Sequence, residues 1–129
     1  MKALVIVDLQ NDFLPGGALA VPQGDEIIEV INALQNRFDV LVATQDWHPL
    51  KHKSFATQHP DKAVFDVVDL QGIPQVLWPN HCVQGTWGAT FTKDWNSDEV
   101  QAIFRKGMNT EIDSYSGFYD NKAGNGTGL

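Results

Sequence analysis

The chain has 129 residues, 43% hydrophobic and 19% charged, with a formal net charge of −7. That size and balance fit one globular domain able to bury a core, and exclude a disordered chain. Lysines and arginines are scattered through an acidic sequence, which excludes nucleic-acid and anionic-membrane partners, since both need a basic surface.

Ala3 to Val7 is a continuous Val/Ile-rich run bounded by charge, and it predicts a strand buried on both faces, as in a parallel sheet. The run meets Asp8 too early for a signal segment or a membrane span. A cytoplasmic protein is the expectation. Asp12 to Gly17 then reads as a turn-forming loop. Asp25 is placed to cap a helix over Glu26 to Arg37, with Ile27, Ile31, Leu34 and Phe38 at helical spacing and Val30 near the same face, all read as core. Val40 to Thr44 is the next buried strand, which completes a βαβ unit and implies a parallel sheet.

A long polar stretch follows from Asp46 to Pro60, with His48, His52 and His59. Gly72 and Pro74 interrupt Val64 to Leu77, so no long element is expected there. Trp78 to Cys82 is a loop rich in aromatic and imidazole groups, of the kind that carries function. Asp98 is placed to open a short helical turn, and Val100 to Phe104 is a third, shorter candidate strand ending at Arg105-Lys106. Asp120 to Leu129, with Gly124, Gly126 and Gly128, reads as a flexible loop.

Three candidate strands thus end in polar groups: Asp8, the pair Asp46 and His48, and Lys106. If the strands are parallel, these groups share the carboxyl edge, where open α/β sheets bind ligands. Asp46 and His48 are two apart, so in extended chain they point the same way and make half of a divalent-metal site. His81 is a third candidate ligand, and Ser54, His52 or water the fourth. Surface histidines in polar loops would give the same pattern. Asp8 and Lys106 read either as solvated strand ends or as an ion pair that tunes a nucleophile. Phe13 and Trp78 share loops with Asp8 and His81 and are placed to sandwich a flat ring. Cys82, the one cysteine, cannot close an intrachain disulfide and gives no sign of an oxidising compartment. Beside His81 it suggests a thiolate, yet sequence neighbours point apart and cysteine is often a small buried hydrophobe.

Four stretches now carry a resemblance. They are Ala3-Leu4-Val5-Ile6-Val7-Asp8-Leu9-Gln10-Asn11-Asp12-Phe13-Leu14-Pro15-Gly16-Gly17-Ala18-Leu19, Thr44-Gln45-Asp46-Trp47-His48-Pro49, Trp78-Pro79-Asn80-His81-Cys82-Val83-Gln84-Gly85-Thr86, and Phe104-Arg105-Lys106-Gly107 followed by Ser114-Tyr115-Ser116-Gly117-Phe118. In this order they resemble the nicotinamidase/pyrazinamidase branch of the isochorismatase-like cysteine hydrolases. The resemblance implies an α/β, Rossmann-like three-layer fold with a parallel sheet flanked by helices. It implies Asp8 as general base, Lys106 as second catalytic residue, and Asp46, His48 and His81 as ligands of one divalent ion (zinc, iron or manganese). Ser54 falls where some relatives place a further ligand, and Phe13 and Trp78 would line a pyridine pocket. The activity implied is hydrolysis of nicotinamide to nicotinate in pyridine nucleotide salvage. Pyrazinamide as substrate and a homo-oligomeric state are left open.

The family's nucleophile is a cysteine in a motif downstream of Tyr-Ser-Gly-Phe, and this sequence holds no such motif. The 129 residues are therefore expected to be one isochorismatase-like domain lacking its C-terminal part, inactive alone, with an unpaired strand edge and an uncovered apolar face. A non-catalytic metal-binding fragment and a related carbamoyl hydrolase are the alternatives.

Overall fold

β-branched residues crowd a helix and suit a pleated sheet, and the Val/Ile runs of this chain form its strands. The computed structural model describes residues 1–129. In chain order the elements are β1 (Ala3–Val7), α1 (Glu26–Leu34), β2 (Val40–Asp46), β3 (Val67–Leu70), β4 (Ile73–Val76) and β5 (Ala102–Lys106), with 3-10 turns at Asn11–Phe13, Gln35–Arg37 and Ala56–Gln58. β1, β2 and β5 make a parallel sheet with β2 in the centre. The α/β class expected from the sequence is observed. No helix is long and apolar enough to cross a membrane.

Two strands run further than their apolar residues suggest. β2 continues to Asp46 and β5 to Lys106, because Gln45 and Asp46 pair with Arg105 and Lys106 through backbone groups that ignore side-chain polarity. β5 also starts later than expected, at Ala102. Val100 packs against the core and Gln101 donates its N–H to the Leu41 carbonyl. The extension puts Asp46 and Lys106 side by side as register partners.

The core lies between one sheet face and α1: Ile6, Leu9, Leu14, Ile28, Ile31, Ala43 and Trp95. The helix corrects the sequence reading. Ile28 and Ile31 face the sheet, whereas Ile27 and Val30 are exposed. α1 carries apolar residues around more than half its girth, so spacing alone left its orientation undecided, and contact with Ile6, Ala43 and Trp95 chose it. Asp25 precedes the helix but has helical dihedrals and makes no side-chain cap. The first turn is closed by backbone bonds from Glu26 to Gln23 and from Ile28 to Asp25 instead. The helix ends at Leu34, and Gln35 to Arg37 tighten into a 3-10 turn.

β3 and β4, which the sequence reading did not expect, pair antiparallel. The supposed breakers make this hairpin. Gln71 and Gly72 both take positive φ, 58° and 80°, as a two-residue hairpin turn requires. Pro74 is tolerated because a two-stranded ribbon has edges that need no donor. At Asp98 there is a single turn, in which Val100 bonds back to Ser97, and no helix. The last ten residues form neither helix nor strand; they fold back on the residue before them through a bridge between Tyr119 and Gly126.

Candidate active site

The carboxyl edge of the parallel sheet gathers the charged groups. Asp8 follows β1 directly, while Asp46 and Lys106 end β2 and β5. The Lys106 ammonium, 5% exposed as a residue, lies 3.0 Å from Asp8 Oδ2 and forms a second, tighter ion pair with Asp46 Oδ1. It also donates to the Ser114 carbonyl at 3.2 Å, so its three donors meet three acceptors. Burial works against the charged ammonium, but Asp46 and Asp8 outweigh it and hold its pKa above the ordinary lysine value. The carboxylates separate. Burial, with the Asp46 charge adding, raises Asp8 against the pull of Lys106 and a 2.7 Å bond from Thr44 Oγ1. Burial also opposes ionisation of Asp46, but His48 and Lys106 prevail and lower it to about 2. The two carboxylates thus have divergent environments: Asp46 is held as an anion, whereas the Asp8 carboxyl is shifted upward by burial.

Asp46 Oδ2 faces away from Lys106, 3.6 Å from His48 Nε2 and 3.9 Å from His81 Nε2. The other nitrogen of each ring donates to a backbone carbonyl, His48 Nδ1 to Gly107 and His81 Nδ1 to Pro79, both at 2.8 Å. These bonds select the tautomer whose Nε2 lone pair points inward. Gly107 is required here. Its φ is +66°, and a Cβ would lie 2.3 Å from His48 Cε1. One carboxylate oxygen and two imidazole nitrogens within 4.8 Å of one another form a donor set that fits a divalent transition metal.

His52 and Ser54 are fully buried behind this set. The Ser54 hydroxyl and N–H donate to His52 Nδ1, and His52 Nε2 donates to the Ile112 carbonyl. Burial and the neighbouring His48 lower His52 to about 4, so it stays neutral. Its ring packs 4.5 Å from that of His48. Ser54, expected near the metal, thus has its hydroxyl engaged with His52.

A cavity of about 190 Å³ opens beside these groups, lined by Asp8, Asp46, His81 and Lys106 together with Phe13, Trp78, Leu19, Asp113, Ser114 and Tyr115. The structure therefore brings Phe13 and Trp78 to the pocket. Leu19, Asp113, Ser114 and Tyr115 are lining residues that the sequence reading gave no role, although Leu19, Ser114 and Tyr115 lie within the resemblance stretches. Tyr115 Oη accepts hydrogen bonds from Trp78 Nε1 at 3.2 Å and Gln75 Nε2 at 2.9 Å, which fixes the indole wall. Asp113 is buried and accepts bonds from Gln75 and Ser114. The Cys82 thiol is fully buried, faces the Gly88 carbonyl, and is pushed well above the ordinary thiol range by burial and the surrounding carboxylates.

Known proteins share this arrangement of chain. The isochorismatase domain family matches residues 2–122. The nicotinamidase of Acinetobacter baylyi is 50% identical over 127 residues, covering 98% of this chain and 59% of that protein. The solved nicotinamidase/pyrazinamidase of Acinetobacter baumannii superposes with a TM-score of 0.95 at 51% identity, over 98% of this chain and 61% of that one. The pyrazinamidase of Pyrococcus horikoshii, solved in complex with zinc, gives a TM-score of 0.66 at 40% identity, over 90% and 57% of the two chains. The chain thus spans about three-fifths of the length of these relatives.

Proposed function

The chain belongs to the isochorismatase domain family, and on that premise we propose that the protein carrying it is a nicotinamidase, hydrolysing nicotinamide to nicotinate and ammonia with a cysteine nucleophile and a bound divalent ion. The observation that supports this most is the one pocket lined by Asp8, Lys106, Asp46, His81, Phe13 and Trp78, with His48 completing the ligand set just behind its wall.

The nucleophile in this reading is a cysteine outside these residues, because Cys82 is sealed in the interior. Asp8, raised by burial, accepts the thiol proton as sulfur bonds to the carboxamide carbon, and gives it to the departing amine as the C–N bond breaks. Water then cleaves the thioester, again with Asp8 as base, releasing nicotinate and restoring the thiol. Lys106 holds Asp8 in place and keeps the negative charge of the thiolate close to neutralised. Phe13 and Trp78 sandwich the ring, and Tyr115 holds Trp78 at its angle. Asp46, His48 and His81 would hold the ion, which would supply a positive centre beside the pocket to help orient the ring.

The test is ammonia release from nicotinamide, from an aliphatic amide and from an N-carbamoyl compound by the protein carrying this chain. Nicotinamide is expected to be the preferred substrate, and Asp8→Asn to lower kcat on the order of 100- to 10,000-fold. Preference for the carbamoyl compound, or full activity of the Asp8 variant, would overturn the proposal.

A further inference from the structure

The turn Gln10–Asp12 lies directly after Asp8, and its polar side chains are not used in the chemistry above. Gln10 is fully buried. Its Oε1 accepts the Asp46 N–H at 2.7 Å, and its Nε2 donates to the Asp46 and Ala89 carbonyls, each at 2.8 Å. Both backbone groups of residue 46 thus end on one side-chain amide. Asp12 is 8% exposed. Its Oδ1 accepts the Ala18 N–H at 3.0 Å and its Oδ2 the Cys82 N–H at 2.7 Å. Cys82 follows His81 and holds a φ of 46°, a left-handed conformation that a non-glycine residue keeps only when its surroundings enforce it. Two glycines make room for Asp12: a Cβ on Gly88 would lie 2.0 Å from Asp12 Oδ2, and one on Gly17 would lie 2.4 Å from the Asp12 Cα.

We propose that Gln10 and Asp12 are positioning residues that hold Asp46 and His81 in register with each other before any ion binds, so that the turn after the base templates the ligand set. The proposal rests on the reading that Asp46, His48 and His81 take a divalent ion. The donor arithmetic is strict at both positions. A carboxylate at position 10 would set an acceptor against two carbonyls. A carboxamide at position 12 would set a donor against one of two N–H groups. Asn11, between them, supplies a matched comparison. Its Nδ2 donates to the Trp87 carbonyl and to Thr90 Oγ1, so it fastens the same loops but reaches no ligand-bearing residue.

The experiment uses three near-isosteric variants of the protein carrying this chain: Gln10→Glu, Asn11→Asp and Asp12→Asn. Co²⁺ affinity is measured by competition with a chromophoric chelator. Ring C–H resonances of His48 and His81 are recorded in the metal-free protein. Gln10→Glu and Asp12→Asn are expected to lose on the order of 10- to 100-fold in Co²⁺ affinity, and Asn11→Asp to stay within about twofold of the parent while melting at lower temperature. Asp12→Asn should also move the metal-free His81 resonances. If Asp12→Asn does not fold, Asp12→Ser, which adds no amide donor, takes its place. Equal losses of melting temperature in all three variants, with affinity and His81 resonances unchanged, would reduce the turn to a structural role and overturn the proposal. A His48→Ala variant that binds Co²⁺ like the parent would overturn the metal reading instead. The metal-free His81 resonances would then still decide whether Asp12 orients that ring.

Discussion

The carboxyl end and the outer edge of β1 present opposite surfaces. At the carboxyl end, Asp8, Asp46, Lys106, His48 and His81 are packed into one buried polar cluster, and no fully buried side-chain nitrogen or oxygen in the chain lacks a partner. Along the outer edge of the same strand an apolar groove of about 580 Å³ runs between β1 and α1, lined by residues that include Val5, Val7, Ile27 and Val30, all of them exposed. The contrast is one of directionality. Buried polar groups tolerate few arrangements, because each unmet donor or acceptor costs about 1–3 kcal/mol. Apolar surface has no such addressing, and one side chain replaces another at small cost where water already reaches it.

The comparison breaks first at the ligand set. His48→Ala removes one of the two imidazoles facing Asp46 Oδ2. It is expected to weaken Co²⁺ binding by more than about 100-fold, beyond the range seen when only an outer partner is lost. Isothermal titration checks this. Affinity within about tenfold of the parent would show that the arrangement at the carboxyl end does not serve a metal.

A subtler break lies one residue past Lys106. Gly107→Ala forces a side chain into positive φ and into the His48 ring. The expected cost is about 1–3 kcal/mol of stability, together with roughly a tenfold loss of Co²⁺ affinity as His48 loses its fixed tautomer. Chemical denaturation and the chelator competition measure the two separately. Loss of stability with intact affinity would mean that the ring relocates without losing its aim.

Much of the carboxyl-end chemistry was legible along the chain, for a physical reason. A Val/Ile run advertises a strand, and a polar residue at its end advertises the edge of the sheet, so Asp8, Asp46 and Lys106 could be aligned before any contact was known. What holds them was not legible. Gln10 reaches Asp46 and Asp12 reaches Cys82 across separations of 36 and 70 residues, and no local pattern encodes such a bond. The Gly107 carbonyl on His48 is hidden for the same reason. The orientation of α1 is not legible either, because hydrophobic spacing reports that a helix is apolar, and not which part of a wide apolar stripe meets the sheet. The β3–β4 hairpin is hidden because Gly72 and Pro74 look like breakers in sequence, whereas a glycine at a hairpin turn and a proline on an edge are what a short ribbon permits.

The smallest expected effect lies in the groove. Val7 and Val30 are 63% and 54% exposed, so Val7→Thr and Val30→Thr each remove little buried apolar area. Each should change stability by no more than about 0.5 kcal/mol. Threonine keeps the β-branched shape that suits β1 and removes only apolar character. The effect should appear instead in what the groove binds. The parent chain is expected to enhance the fluorescence of anilinonaphthalene sulfonate, because contiguous exposed apolar surface takes up such dyes. The double variant should lower that enhancement while its melting transition stays in place. An unchanged melting transition with unchanged dye binding would mean that the groove is closed in solution by other side chains. A melting transition that falls by more than the surface range would show that β1 and α1 depend on this face for packing, and the outer edge and the carboxyl end of the strand would then be more alike than their exposure indicates.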